Sequence, residues 1–330
     1  MWKERKLSQM SPKLIAATDQ GVITLIKENS KWEPVSNQLK EQRFTAMAVS
    51  EAGAVLAGTR KGIYLSIDSG ESWQESSTGL KQTHIRSLAF HPDNPGFAYA
   101  GTEPAAIFYS KDGGQNWLEC LNVPRYRDEH KWFLPYSPEA GCIRGFSFAG
   151  ETGFAAVEVG GMLVSHDFGE SWRLTQDKND LTPVGKDIHA DVHQVYIHPK
   201  SKNTVIAPTG GGLFLSEDGA ESWESIDPNY CRAAWSPPDN WAEIVFGPAD
   251  GPDRNGRILR TIDGGKHWES ADAGLDTPWE RTMVEHFVPA GKELFGVLSS
   301  GRLIVCRKER FDWITVLAPT YGVRALAIIH

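Results

Sequence analysis

Ser66-Ile-Asp68-Ser-Gly70-Glu-Ser-Trp73, Ser110-Lys-Asp112-Gly-Gly114-Gln-Asn-Trp117, Ser165-His-Asp167-Phe-Gly169-Glu-Ser-Trp172, Ser216-Glu-Asp218-Gly-Ala220-Glu-Ser-Trp223 and Thr261-Ile-Asp263-Gly-Gly265-Lys-His-Trp268 are five copies of one eight-residue pattern. Its chemistry predicts a hairpin turn. The Asp carboxylate accepts backbone N–H groups, the Gly supplies a backbone with φ > 0, and the Trp buries its indole as the next strand opens. Ala220 stands where the other copies have Gly, and Gly219 beside it is expected to take over. Two eroded copies, Leu25 to Trp32 and Cys306 to Trp313, keep little beyond the tryptophan. The tryptophans at 32, 73, 117, 172, 223, 268 and 313 are 41 to 55 residues apart, the length of one four-stranded antiparallel unit. An aspartate needed for catalysis would not have to recur five times, so the pattern reads as structural.

Ser/Thr-x-Asp-x-Gly-x-x-Trp is the Asp-box, and the chain resembles the Asp-box (BNR-repeat) β-propeller superfamily along nearly its whole length. The resemblance implies an all-β, seven-bladed β-propeller, with residues 1–330 as a single domain. Relatives include xyloglucan-cleaving glycosidases, sortilin-type receptors, photosystem assembly factors and small bacterial glycosyl-hydrolase-like propellers. The six-bladed sialidases are a poor match, because their Arg triad, Tyr–Glu pair and Arg-Ile/Leu-Pro segment are not recognisable here. The box is specific for fold and carries no activity with it.

Strand patterns follow the boxes. In the third blade Ile85–Phe90 reads as the inner strand, Phe97–Thr102 and Ala106–Ser110 as the next two, and Asn116–Cys120 as the outer one. Inner strands are also expected at Arg43–Val49, Ile143–Phe148, Val192–Ile197, Cys231–Ser236, Thr282–Val288 and Val323–Ile329. The last has no blade after it, while Lys13–Ala17, Gly21–Ile26 and Lys31–Val35 lack an inner strand. The ring is therefore expected to close by placing the C-terminal strand inside the N-terminal three, which removes an open edge.

Net charge is 34 − 42 = −8 with no basic run, which argues against nucleic acid as a partner. No apolar segment suggests a secretory leader or a membrane span. Cys120, Cys142, Cys231 and Cys306 show neither metal-type nor disulfide-type spacing. They read as reduced thiols, and the expected location is the cytoplasm.

Functional expectations come from where the repeats differ. Aligned inner strands put Arg86, Arg144, His193, Arg232 and Arg324 at one position around the channel mouth, with Thr45 and Met283 (near Arg281) in the other two blades. Buried cations repel one another unless anions face them. Glu103, Glu158 and Glu285 can supply an internal salt-bridge ring; alternatively, the ring binds an anionic ligand such as a carboxylate, sulfate or phosphate. His189-Ala-Asp191-Val-His193 is the second outlier, and alternation aims its three polar side chains at the mouth. Similar His-x-Asp-x-His segments occur in Asp-box propellers described as glycosyl hydrolases. With Glu158, these residues suit a divalent metal, an acid–base pair, or a hydrogen-bonded loop.

The insert Leu121–Gly141 carries Tyr126, His130, Trp132 and Tyr136. Trp132 is a candidate for stacking on a sugar or aryl ring, or else caps the blade. A second insert spans Thr175–Ala190, and Ala249–Asn255 adds acidic residues near the same rim. Three functions fit: a hydrolase- or lyase-like enzyme on a small anionic or glycosidic substrate, a non-catalytic ligand-binding module, or a scaffold for a protein partner.

Overall fold

Each box folds as its residues require. In the computed structural model, which describes residues 12–134, 136, 140–175 and 187–329, the Ser66 hydroxyl donates to Asp68 Oδ1 at 2.8 Å and accepts the Gly70 N–H at 2.8 Å. Asp68 Oδ1 also accepts the Ser72 N–H at 2.8 Å. The fifth box repeats this with Thr261, Asp263, Gly265 and His267 at 2.7–3.1 Å. Hydrogen bonds from Ser72 and Ser66 hold the Asp68 carboxyl down to about 2. The residue before x-x-Trp has φ between 72° and 92° in all five boxes, Ala220 included. Gly219 therefore does not take over from Ala220, contrary to expectation; both have positive φ. At Gly70, Gly114, Gly169 and Gly265 an added Cβ would come within 3 Å of Ile15, Leu56, Tyr99 or Ile226, so glycine there is required sterically as well as conformationally.

The tryptophans tie neighbouring blades together. Trp117, Trp268 and Trp313 donate their indole N–H to Ser76 O, Ile226 O and Ala271 O, each in the preceding blade, at 2.8, 3.4 and 2.7 Å. Apolar clusters also lie between blades. Ile63 and Leu65 of blade 2 pack with Ile85, Phe108 and Trp117 of blade 3, while Leu14 and Leu25 of blade 1 pack with Phe295 and Val305 of blade 7.

The described residues form seven four-stranded antiparallel sheets, arranged as a seven-bladed β-propeller. Blade 1 is closed as expected: Val323–Ile329 pairs with Lys13–Thr18, beside Gly21–Glu28 and Lys31–Gln38. The remaining inner strands are Phe44–Val49, Ile85–His91, Cys142–Ala149, Tyr196–His198, Tyr230–Trp235 and Val284–Ala290.

Two features depart from the sequence expectation. Blade 5 has only a three-residue inner strand, because residues 193–195 leave the ladder after Val192 bridges Thr209. A β-bulge also interrupts the inner strand near the mouth in blades 1, 2, 3, 4, 6 and 7. The extra residue re-aims its side chain. These residues include Thr45, Arg86, Arg144, Arg232 and Arg324, but in blade 7 the position belongs to Glu285 and not to Met283. Arg281 stays on the surface against Glu280. Glu285, expected as an anion facing the ring, thus occupies a ring position itself.

Candidate functional site

Short turns between second and third strands hold the mouth in place. The hydroxyls of Thr18, Thr59 and Thr209 donate to the carbonyls of Gly21, Gly62 and Gly212 at 2.8–3.0 Å. These Thr-x-x-Gly turns present Asp19, Arg60 and Gly210 at equivalent positions, and Glu103 follows Thr102 in the same way. The side chains of Asp19, Arg60 and Glu103 lie beside the bulge residues at this end of the channel.

The charges pair closely. Arg86 donates to Glu103 at 2.9 Å and lies 3.9 Å from Glu158. Arg144 reaches Glu158 Oε2 at 3.5 Å and Glu285 Oε2 at 3.3 Å. Arg232 binds Glu285 Oε1 and reaches Asp253 at 3.3 Å. Arg324 donates through Nε to Asp19 at 3.2 Å and through Nη1 to Ser299 O at 3.3 Å. Burial pushes the Glu285 carboxyl up, but Arg232 and Arg144 outweigh it and hold it down to about 2. Glu103, Glu158 and Glu285 thus face these arginines.

A cavity of about 260 Å³ opens beside this ring, lined on its polar side by Thr45, Arg60, His84, Arg86, Arg144, Glu285, His286 and Arg324. Among the described residues Arg60 has no carboxylate partner. His84 Nε2 is buried without a hydrogen-bond partner. Burial lowers the His84 pKa, helped by Arg86 and Arg60 and opposed by Glu103. Sequence reading missed Arg60, His84 and Asp19, although the repeated Thr-x-x-Gly turn was the signal that could have located Arg60 and Asp19.

The opposite side of the ring holds the His-x-Asp-x-His segment. Asp191 Oδ2 lies 3.2 Å from His193 Nε2, and His193 Nδ1 lies 2.8 Å from the Cys231 carbonyl oxygen. Arg232 Nε donates to the Tyr230 hydroxyl at 3.0 Å, which itself lies 3.4 Å from His193 Nε2. Burial raises the Tyr230 pKa to about 12. Ligand-capable atoms of Glu158, Asp191 and His193 lie within 4.8 Å of one another. Glu158 Oε2 accepts from Tyr136 at 3.1 Å and from the Cys142 thiol at 3.2 Å. Burial pushes the carboxyls of both Glu158 and Asp191 up, but their neighbours outweigh it, Arg144 first at Glu158 and the adjoining His193 ring first at Asp191.

His189 does not join that group. Residues 189–195 are not extended strand, so the expected alternation fails. The His189 Nδ1 accepts the Asp191 N–H at 3.1 Å. Side chains at 210 and 211 would collide with Asp191 and His189, which explains two glycines there.

The insert contributes less to the mouth than expected. Asn122–Glu129 is an α-helix. Trp132 is 3 % exposed and packs over Gly141 and Gly160, so it caps the blade and is not free to stack on a ligand. Tyr126 packs on the same cluster, with the His130 ring 6.3 Å away, and none of the three lines the cavity. Among the described residues of the insert, Tyr136 alone reaches the site. Most of the second insert, 176–186, lies outside the described residues. All four cysteines are free and buried, and no described helix is long and apolar enough to cross a membrane.

No protein-family model matches the chain, and no curated protein matches it. Among solved structures, the GH74 enzyme from Niastella koreensis is similar with a TM-score of 0.65 and 15% identity, covering 91% of this chain and 51% of that one. YCF48 from Cyanidioschyzon merolae is similar with a TM-score of 0.57 and 15% identity, covering 90% and 96%. A YCF48 structure bound to D1 peptide gives 0.57 and 14%, covering 87% and 85%. The chain therefore spans about half the length of the GH74 enzyme and nearly the full length of YCF48. At these identities the similarity is one of fold, and it agrees with a seven-bladed β-propeller.

Proposed function

We propose that the channel mouth binds a small anionic ligand and acts on it as a hydrolase- or lyase-like enzyme, with Arg60, His84, Arg86 and Arg324 holding the anion and His193, Asp191 and Glu158 as the reactive corner. The chain is read as an Asp-box propeller of the small glycosyl-hydrolase-like kind. The carrying observation is the cavity, in which Arg60 lacks a carboxylate partner among the described residues and His84 Nε2 is an orphaned buried atom. Both are satisfied by an anion that also accepts a proton or a hydrogen bond. The cavity is smaller than the roughly 300–1,000 Å³ of drug-sized sites, which restricts the ligand to something the size of a single sugar or less. In the corner, His193 is oriented by Cys231 and Asp191 as a proton-transfer group requires. Glu158 and Asp191 approach within 4.8 Å. That is too close for the roughly 6.5–9.5 Å of an inverting glycosidase pair, so a glycosidic substrate would require the retaining arrangement of roughly 5–5.5 Å.

Thermal shift with sulfate, phosphate, small carboxylates and uronic acids tests the binding step. At least one anion should raise the melting temperature, and Arg60→Ala, which removes an exposed side chain, should abolish the shift while leaving the ligand-free melt unchanged. No shift with any anion, or an equal shift in Arg60→Ala, refutes the reading.

A second reading, a scaffold for a protein partner, is favoured by the YCF48 structures, which match this chain over nearly their whole length and include one bound to a peptide. It gains weight if the mouth binds no small anion.

A further inference from the structure

We propose that Glu158, Asp191 and His193 form a site for one divalent cation of the zinc or manganese class, with open positions for water. The inference rests on the reading of the mouth as the functional site. His193 sets the geometry. Its Nδ1 faces the Cys231 carbonyl oxygen at 2.8 Å, and a carbonyl can only accept, so Nδ1 carries hydrogen. A neutral ring then points the Nε2 lone pair at Asp191 Oδ2, 3.2 Å away. Two acceptors at that distance repel unless something positive lies between them. Ligand atoms about 2.0–2.1 Å from a tetrahedral zinc are about 3.3 Å apart, so the His193–Asp191 spacing already suits a shared ion. Glu158, whose ligand atom lies within 4.8 Å of the other two, has to close by at most about 1.5 Å.

Charge leads to the same conclusion. Arg86 is answered by Glu103 and Arg324 by Asp19. Arg144, Arg232 and Arg60, the last unpaired among the described residues, then stand against four carboxylates, Glu158, Glu285, Asp253 and Asp191, which leaves one negative charge over with His193 neutral. Asp191 Oδ1 is buried with no hydrogen-bond partner. Every contact recorded for Glu158 among the described residues falls on Oε2. One imidazole and two carboxylates suit zinc, manganese or ferrous iron, and three protein ligands leave a position for water, as in catalytic sites. The Cys231 carbonyl on Nδ1–H is the outer-shell partner such a histidine needs. A second proton on His193 supplies the same charge, so the experiment has to separate ion from proton.

Protein stripped with chelator and dialysed is titrated with ZnCl₂ and with MnCl₂ by calorimetry, and the metal content of desalted samples is measured. Wild type should hold about one equivalent of at least one of the two metals, and Asp191→Asn, Glu158→Gln and His193→Gln, checked for native circular dichroism, should each weaken binding by about 100-fold or more, beyond the 10–100-fold typical of outer-shell changes. Asp191→Asn and Glu158→Gln preserve shape, so the test survives if the histidine variant fails to fold. Less than about a tenth of an equivalent at 100-fold above a micromolar dissociation constant, or binding that the variants leave unchanged, overturns the site and leaves the proton in its place. The anion shift dependent on Arg60 is measured on the same stripped samples. If that shift persists without metal uptake, the metal proposal alone falls; if metal binds but no anion does, the metal site stands and the anion reading falls.

Discussion

Arg144→Met tests whether the ring of charges holds the fold together or merely waits for a ligand. Methionine keeps the apolar stem but removes the guanidinium that faces Glu158 at 3.5 Å and Glu285 at 3.3 Å. Glu285 then depends on Arg232 alone, and Glu158 on the 3.9 Å approach of Arg86. Breaking a buried pair from one side costs about 3–5 kcal/mol, because the stranded charge stays out of water. Unfolding entropy of about 2.1 cal/mol/K per residue amounts to about 0.7 kcal/mol/K for this chain, so the melting temperature should fall by about 4–7 °C in scanning calorimetry at pH 7. A pH series gives an independent arm. The folded pKa of Glu285, about 2, lies below its unfolded value, so its stabilisation is present above about pH 4.5 and is lost as pH falls toward 2. A shift of that size corresponds to about 3 kcal/mol, and Glu285→Gln should flatten this part of the curve. An unchanged or raised melting temperature in Arg144→Met would refute the reasoning.

Deleting Val323–His330 removes the inner strand that pairs with Lys13–Thr18 and takes Val323, Leu326 and Ile328 out of the core between blades 1 and 7. Calorimetry should show loss of the cooperative transition; a melt within a few degrees of wild type contradicts ring closure. Gly169→Ala combines φ = 76° with a collision against the Tyr99 ring, and chemical denaturation should report a loss of about 2–4 kcal/mol. Ala220→Gly at the equivalent site should fall within about 0.5 kcal/mol of wild type, because relief of φ = 72° is offset by loss of a buried methyl. Equal effects in these two variants would contradict the box analysis.

The fold was legible because its signals are local. A Ser/Thr–Asp–Gly turn and a tryptophan act within eight residues, and their spacing counts the blades without any knowledge of tertiary contacts. Closure was legible because Lys13–Ala17 lacked an inner strand and Val323–Ile329 lacked a blade. The site was less so. Arg86, Arg144, Arg232 and Arg324 were placed on the ring, but a β-bulge adds one residue to the strand, and alternation cannot show where it falls. That shift puts Glu285 rather than Met283 on the ring and so changes its charge balance. In blade 5 the same region leaves the ladder altogether, so His189 turns its Nδ1 onto the Asp191 N–H and does not join the side-chain group of Glu158, Asp191 and His193. Trp132 reads equally well as a stacking platform or a cap, since only packing over Gly141 and Gly160 distinguishes them. Arg60 and His84 lie one blade apart and meet only around the cavity, a relation that no short motif encodes.

The most direct measurement is a crystal structure after soaking with zinc or manganese and with sulfate, using anomalous scattering to locate the metal and a binding curve in solution to match. The account predicts a sulfate in the cavity bounded by Arg60, His84, Arg86 and Arg324, and an anomalous peak between His193 Nε2, Asp191 and Glu158. A mouth holding only water while both ions occupy scattered surface positions would contradict it.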